Sequence, residues 1–157
     1  MEFCSATRDH FDQIIDMVSS PEEMYLFYPK GKYPLDHLQL EELFENRSNF
    51  TVAIENNEVV GFANLYNIHS KDSAFIGNVL VSKSFRRKGL GKKITEFMCE
   101  LCVNEHHAIP HLSVFNHNTL ALLMYSKLGF KPYSIEQRVN VDSEKVALIH
   151  MKLEKKT

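Results

Sequence analysis

No run of apolar residues in the 157-residue sequence approaches the roughly 20 that a membrane-spanning helix requires. The first nine residues contain neither the basic nor the apolar segment that opens a secretory signal. The three cysteines cannot all pair with one another, which excludes a disulfide scaffold and makes a reducing compartment the simplest interpretation. We therefore expect a cytoplasmic protein without a membrane partner.

The sequence also lacks a strong excess of charge of one sign. Its 18 basic and 20 acidic residues give a net charge of −2, so no overall field draws the chain to nucleic acid. Hydrophobic residues make up 44% and charged residues 24%, which is ordinary for a globular protein and excludes a disordered chain. Because internal repeats and linkers are absent and the length suits one domain, we predict a single domain over residues 1–157.

The apolar pattern predicts an α/β (α+β) fold. Strands are predicted at 2–6, 50–55, 58–66, 74–81, 111–115, 131–140 and 145–153. Helices are predicted before Pro21, at 36–46, around 94–102, and at 118–128 with Gly129 as the C-cap. The continuous apolar strand 74–81 is expected to be buried on both faces, and the aromatic segment 25–34 to be a loop. The expected architecture is a mixed, largely antiparallel sheet of six or seven strands with helices on both faces.

A basic, glycine-containing loop follows the strand at 74–81. Six basic residues lie between positions 83 and 93, at the start of an amphipathic helix where positive charge is unfavourable. The first backbone N–H groups of such a helix have no intrahelical partner, and glycines let a ligand approach them closely. The loop therefore predicts a site for a phosphate-bearing ligand, with a merely solvated basic loop as the alternative.

Two common phosphate motifs do not fit this loop. In a P-loop, the position of Arg86 would be glycine and that of Lys93 would be serine or threonine. In the dinucleotide fingerprint, the position of Ile94 would be a third glycine. Nucleic acid is a weaker alternative, because no series of stacking aromatic residues accompanies the basic patch. We therefore expect no nucleic-acid partner.

Two motifs together resemble those of one enzyme family. The first is Arg86-x-x-Gly89-x-Gly91, directly after a strand, which resembles the pyrophosphate-binding motif of the GNAT superfamily of acetyl-CoA-dependent N-acyltransferases. The second resembles that family's later helix and the turn after it, and it reads Asn118-x-x-Ala121-x-x-Met124-Tyr125-x-Lys127-x-Gly129-Phe130. The resemblance covers about residues 50–153, whereas residues 1–48 share only the strand-helix-helix layout.

The resemblance implies acetyl-CoA as cosubstrate and no metal. In many members, the strands corresponding to 74–81 and 111–115 separate and the coenzyme enters the gap between them. Asn118 would contact the coenzyme arm, and the pantetheine would pair with the backbone of Val79, Leu80 and Val81. The residues that would surround the pyrophosphate are Arg86, Arg87, Lys88, Gly89, Leu90, Gly91 and Lys92.

The resemblance also implies direct acetyl transfer to an amine on a small molecule or peptide. Tyr125 matches the general acid that protonates the leaving thiolate, although an amphipathic core tyrosine would look the same in sequence. The backbone N–H near Leu80 or Val81 would stabilise the oxyanion. No general base stands out, because Phe75 and Ser113 occupy the positions where relatives carry glutamate. The residues left as candidates are Glu55, His69, His111 and His117.

Several alternatives stay open at this level. Residues 1–48 are expected to shape the acceptor site and 50–153 to bind acetyl-CoA. The segment 25–34, which lies between Glu22, Glu23 and Asp36, would either line an amine pocket or form a hydrophobic lid. The Cys99-x-x-Cys102 pair has no further ligand motif, so core packing is favoured over a metal site. A non-catalytic acyl-CoA-binding sensor is the alternative function, and the oligomeric state is open, a homodimer included.

Overall fold

The strand-forming segments assemble into one mixed sheet in the computed structural model, which describes residues 1–153. The strands are β1 (Glu2–Ser5), β2 (Ser48–Glu55), β3 (Glu58–His69), β4 (Ser73–Val81), β5 (Ile109–Phe115), β6 (Phe130–Val139) and β7 (Lys145–Leu153). Their order in the sheet is β1-β2-β3-β4-β5-β7-β6, and only β4 and β5 are parallel neighbours. The predicted fold class is confirmed, with seven strands.

Helices cover both faces of this sheet. They are α1 (Phe11–Asp16), α2 (Pro21–Phe27), α3 (His37–Asn46), α4 (Leu90–His106) and α5 (Thr119–Leu128). Apolar side chains of α1, α2 and α3 form one buried cluster against one face, and those of α4 and α5 form a second cluster against the other. Across residues 1–153, no helix is both long enough and apolar enough to span a membrane.

The turn signals of the sequence are placed as expected. Asn56 and Asn57 both adopt positive φ, of 50° and 62°, and join β2 to β3 in a tight hairpin. Gly129 has φ of 105° and ends α5, as a C-cap glycine should. Each of these residues tolerates a backbone conformation that most side chains resist.

The prediction for the aromatic segment was wrong in part. Pro21 does not end the first helix, which stops at Asp16, but occupies the first position of α2, where its missing N–H costs nothing. The hydroxyl of Ser20 caps this helix by accepting a hydrogen bond from the N–H of Glu23 at 3.1 Å. The helix then continues into the segment that was expected to be a loop and ends at Phe27.

The prediction that residues 74–81 are buried on both faces was also wrong. Buried and half-buried residues alternate along β4, because only one face of this strand is fully covered. Asn78, with φ of 50°, is an extra residue in the ladder: Phe62 pairs with Leu80, but Asn64 pairs with Gly77. This β-bulge redirects the side chains that follow it.

The parallel pair β4–β5 separates halfway along its length. Pairing runs from Ser73 opposite Ile109 to Ile76 opposite Leu112 and then stops, although β4 continues to Val81. The separation expected from the family resemblance is therefore present. It leaves one backbone edge of β4 and the end of β5 on opposite sides of a gap in the sheet.

Candidate functional site

A cavity of about 350 Å³ occupies the gap between β4 and β5. Its walls come from the diverging strand ends, from the end of α2, and from one face of β6 and β7. The side chains that the chemistry below uses are Arg47, Tyr66, Asn78, Ser113, Asn118, Tyr125, Glu136 and His150.

Tyr125 lies on α5 with its side chain in this cavity. Its ring packs edge-on against Phe130, and only 7% of the residue is exposed. Burial, assisted by nearby Cys99, raises the pKa of Tyr125 to about 12, so the hydroxyl stays protonated at ordinary pH. This hydroxyl forms no hydrogen bond with the described residues and is not sealed from the cavity, which leaves it free to donate to a ligand.

The unpaired edge of β4 forms the adjoining wall. Leu80 and Val81 pair with β3 on one side but have no strand on the side that faces the gap. Val79 lines the cavity, whereas the Leu80 side chain packs under the helices of the opposite face. Asn118, at the N-terminus of α5, also lines the cavity, and its side chain makes no capping hydrogen bond. The extended edge can therefore accept a further strand-like partner.

The basic loop leads from the end of β4 into α4. Gly89 is the N-cap of this helix with φ of 83°, and a side chain placed there would meet nothing within 4 Å. Arg87 also adopts positive φ, of 62°, a conformation that occurs in backbone concavities for anions. Arg87, Lys88 and Lys92 are exposed around the uncapped helix end. Backbone N–H groups and positive charge thus converge on one open position.

Arg86 has a different environment from the rest of this loop. Its Nη2 donates to Glu23 at 2.8 Å, and its Nε donates to the carbonyl of Val81 at 3.2 Å. Burial acts to raise the pKa of Glu23, but hydrogen bonds from Ser19 and the charge of Arg86 outweigh it and lower this pKa to about 2. The side chain of Arg86 therefore fixes the loop against α2 and leaves the backbone to face a ligand.

Three neighbouring strands bring together Ser113, His150 and Glu136. The Ser113 hydroxyl lies 2.6 Å from His150 Nδ1, and His150 Nε2 lies 2.8 Å from the carboxylate of Glu136. Hydrogen bonds from Arg138 and then from His150 lower the pKa of Glu136, so this carboxylate is ionised and accepts a hydrogen bond from the N–H at Nε2 of His150. When the His150 ring is neutral and its proton is on Nε2, Nδ1 accepts a hydrogen bond from the hydroxyl of Ser113. The result is a continuous hydrogen-bonded chain that begins in the cavity.

The candidates for a general base drawn from the sequence lie elsewhere. Glu55 pairs with the N-terminal ammonium group at 3.1 Å, and His69 is exposed at the end of β3. His111 contacts the carbonyl of Ile109, and none of the four candidates, His117 included, lines the cavity. Sequence inspection missed His150 and Glu136 because their relation to Ser113 depends on the register of three strands.

The segment 25–34 packs against the sheet and also contributes residues to the cavity wall. Tyr25 packs against Phe115 and donates a hydrogen bond to the carbonyl of Val139, as a lid would. Tyr28 and Lys30 line the cavity. The acidic residues expected near an amine do not line it: Glu23 is paired with Arg86 and Asp36 caps α3. The cavity carboxylate comes instead from β6.

Among residues 1–153, no group of three or more His, Cys, Asp or Glu side chains is placed to hold a metal ion. Cys102 is fully buried in the core beneath α4, as its position in the apolar stripe predicts. Burial raises the pKa of both Cys99 and Cys102 to about 12, so both thiols are protonated and unreactive at neutral pH.

Solved structures with the same fold include known acetyltransferases. A ribosomal-protein-alanine N-acetyltransferase from Brucella melitensis has a TM-score of 0.77 at 15% identity, covering 97% of this chain and 98% of that one. An N-acetyltransferase from Staphylococcus aureus has a TM-score of 0.76 at 14% identity, covering 98% and 97%. A GNAT family acetyltransferase from Elizabethkingia anophelis, solved with acetyl-CoA bound, has a TM-score of 0.68 at 18% identity, covering 98% and 97%.

Sequence comparison gives the family directly. No protein of curated function matches the chain significantly. The model of the family described as "Acetyltransferase (GNAT) family" matches residues 12–130, which is most of the chain and includes the separated strands, the basic loop and Tyr125. This protein therefore belongs to the GNAT acetyltransferase family.

Proposed function

We propose that the protein transfers an acetyl group from acetyl-CoA directly to the primary amine of a small acceptor. One observation carries this proposal: the pairing of β4 with β5 ends at Ile76 and Leu112, and Tyr125 lines the cavity in this gap while β4 runs on toward the loop that starts α4. A thioester whose pyrophosphate binds at Gly89 would lie along the unpaired edge of β4 toward Tyr125.

The chain offers groups that suit each part of acetyl-CoA. The open position over Gly89, with the exposed side chains of Arg87, Lys88 and Lys92, suits the pyrophosphate. The unpaired backbone of Val79, Leu80 and Val81 can form strand-like hydrogen bonds with the amide groups of pantetheine. The free side-chain amide of Asn118 faces the same arm from α5. Arg86 fixes the basic loop, and Leu90 and Gly91, the first residues of α4, complete the proposed pyrophosphate site.

The chain from Ser113 to Glu136 provides the general base that the sequence did not reveal. An ammonium acceptor must lose a proton before it can attack a thioester, since an alkyl ammonium has a pKa of about 10.4. Ser113 can take that proton while its own passes to Nδ1 of His150. Ionised Glu136 then stabilises the resulting imidazolium, as the acid member of a Ser-His-Asp triad does.

Two other groups stabilise the charge that develops during transfer. The backbone N–H of Leu80 or Val81, at the end of the bulged strand, is placed to donate to the oxyanion. Tyr125 donates its hydroxyl proton toward the departing thiolate. Its pKa of about 12 keeps the proton in place until the thiolate forms.

In this proposal, the two parts of the domain bind different substrates. Residues 50–153 supply the acetyl-CoA groove and the reacting groups, and residues 1–48 supply the acceptor side through Arg47 and the end of α2. Tyr28 and Lys30 form that part of the wall.

The deciding experiment is the melting temperature with and without acetyl-CoA, followed by an amine-acceptor screen. A ligand at 100 times its Kd adds about 2.7 kcal/mol to the free energy of unfolding, which is about 5 to 10 °C for a domain of this size. Free adenine and inorganic pyrophosphate serve as controls and should give little shift. A shift without turnover of any amine would favour a non-catalytic acyl-CoA sensor, and no shift at millimolar acetyl-CoA would refute the cofactor assignment.

A further inference from the structure

Arg47 follows α3 and projects its guanidinium into the cavity from the acceptor side. Nη1 donates to Oδ1 of Asn78 at 2.7 Å and to Oδ1 of Asn64 at 3.2 Å. The guanidinium carbon lies 4.1 Å from the centre of the Tyr66 ring, in a cation–π contact. The group is therefore held in a fixed orientation by three neighbours, all of which are uncharged.

No carboxylate of the described chain forms an ion pair with Arg47. Its Nε and Nη2 also lack hydrogen-bond partners among residues 1–153. Because no fully buried side-chain nitrogen or oxygen in that range lacks a partner, these two atoms are accessible to solvent, and Arg47 is among the residues that line the cavity. Burial lowers the pKa of Arg47, although a guanidinium keeps its proton at any ordinary pH.

The other charged groups of the cavity do not neutralise Arg47. Glu136 is the carboxylate among the lining residues, and it is already paired with Arg138 at 3.1 Å and with His150 at 2.8 Å. Lys30 adds a further positive charge to the same lining. The cavity therefore carries an excess of positive charge on the side away from the acetyl-CoA groove.

We propose that the acceptor amine carries a carboxylate that binds to Nε and Nη2 of Arg47, as in an amino acid. The inference rests on the proposed function and narrows its substrate class. The exposed edge of a guanidinium presents two parallel N–H groups, which match the two oxygens of a carboxylate. An acceptor held in this way would have its carboxylate on Arg47 and its amine toward Ser113, because both residues line the same cavity.

A purely structural arginine would behave differently. The bridge to Asn64 and Asn78 uses Nη1 alone and would stabilise the β4 bulge whatever the acceptor is. Loss of that bridge would lower the melting temperature and affect every acceptor equally. A binding role instead predicts a loss confined to acceptors that carry the carboxylate.

The test compares matched amines that differ only in the carboxylate: phenylalanine with phenethylamine, tyrosine with tyramine, leucine with 3-methylbutylamine, and methionine with 3-(methylthio)propylamine. Values of kcat/KM are measured for wild type, Arg47→Gln, Arg47→Lys and the control Arg8→Gln, whose side chain pairs with Glu41 outside the cavity. The ratio of variant to wild type cancels the difference in amine pKa within each pair. Melting temperature and the KM for acetyl-CoA report on folding and on the cofactor groove.

We expect wild type to prefer the carboxylate member of at least one pair. Arg47→Gln should lower kcat/KM for that member by about 10- to 100-fold, as the loss of a charge-assisted bidentate contact predicts. The kcat/KM for the matching amine without the carboxylate and the KM for acetyl-CoA should stay nearly unchanged. The kcat/KM of Arg47→Lys for the carboxylate member should lie between the values of wild type and Arg47→Gln, and Arg8→Gln should match wild type. The proposal is overturned if no carboxylate member is preferred, or if Arg47→Gln lowers both members of each pair equally. Acetyl-CoA binding without acetylation of any amine would instead refute the proposed function, and this inference with it.

Discussion

Arg86 donates a hydrogen bond of 2.8 Å to Glu23, which lies 63 positions earlier in the chain. Arg86 opens the basic loop, and Glu23 lies in the first turn of α2. Glu23 also accepts hydrogen bonds from the backbone N–H and the hydroxyl of Ser19. One carboxylate therefore joins the start of the helix that borders the acceptor side to the loop proposed to bind pyrophosphate.

Replacing Glu23 with Gln should reduce stability in a pH-dependent way. The pKa of Glu23 falls from 4.5 to about 2 in the folded protein, so the ionised carboxylate stabilises the fold above about pH 4.5. That contribution is lost as the pH falls toward 2. At pH 7 we expect Glu23→Gln to cost about 1 kcal/mol, because the pair is partly exposed to solvent, and the gap to wild type should close between pH 4.5 and 2. Thermal unfolding of both proteins between pH 7 and pH 2 measures this difference in the free energy of unfolding.

Glu22→Gln is the matched control for this experiment. Glu22 is exposed in the same helical turn and has the same interaction with the helix dipole, but no ion pair with a described residue. A difference between Glu23→Gln and wild type that stays constant from pH 7 to pH 2 would contradict the ionised pair.

Arg87→Ala should weaken acetyl-CoA binding. Its exposed side chain lies beside the open N-terminus of α4, where the pyrophosphate is proposed to bind. Losing one exposed phosphate contact should raise Kd by several-fold, an effect that shrinks at high salt because the charges are screened. Calorimetry at two salt concentrations measures this, with the exposed Lys145→Ala on β7 as control. Equal affinity for wild type and Arg87→Ala at low salt would count against the phosphate role.

Tyr125→Phe should lower kcat by about 10²- to 10⁴-fold, the usual range for loss of a general acid. Affinity for acetyl-CoA should change little, because the ring and its contact with Phe130 remain. Wild-type kcat should also show no decline from ionisation of Tyr125 up to about pH 11, since its pKa is about 12. Steady-state kinetics and calorimetry on the two proteins measure both effects, and an unchanged kcat would remove the general-acid role.

His150→Gln should lower kcat/KM most strongly where the acceptor is an ammonium ion. Without the path from Ser113 to His150, the enzyme depends on acceptor that is already neutral, so its activity should rise toward wild type as the pH approaches the acceptor's pKa. Full pH–rate profiles for His150→Gln, Ser113→Ala and the control His117→Gln measure this. A constant ratio to wild type at every pH would show that the chain does not carry the proton.

The sequence predicted the parts of the fold that depend on local pattern. The seven strands, the helix bearing Tyr125 and the turns at Asn56 and Gly129 follow from periodicity and backbone preference. The hydrogen-bonded chain of Ser113, His150 and Glu136 was not predictable in this way, because Ser113 and His150 are brought together by the pairing of β5 with β7. A slip of one residue in that register would turn His150 to the other face of the sheet.

The role of Arg47 was hidden for a related reason. It is a single arginine after a short helix, and no motif marks it. Its position depends on the bulge at Asn78 and on the missing side chain of Gly77, which are features of the folded sheet. The motifs therefore indicate the side proposed to bind the cosubstrate, whereas the proposed acceptor side can be located only in the three-dimensional structure.

Gly77→Ala should disturb the acceptor site without affecting the acetyl-CoA loop. A Cβ at Gly77 would lie 2.4 Å from Nη1 of Arg47 and 2.6 Å from the Tyr66 ring, so the guanidinium must move. Such overpacking costs about 1 to 3 kcal/mol, and the displaced Arg47 should lose its preference for carboxylate acceptors. Melting curves and the matched amine pairs measure the two effects together.

Gly91→Ala is the control for stability in this comparison. The nearest atoms to a Cβ at Gly91 would be the Met124 sulfur at 3.4 Å, Met124 Cε at 3.7 Å and Val81 Cγ2 at 3.9 Å, and alanine is the better helix former, so the melting temperature should hold or rise. If Gly77→Ala keeps the wild-type acceptor preference at a lowered melting temperature, the position of the guanidinium does not determine that preference. Arg47 would then stabilise the bulge at Asn78 and would not select the substrate.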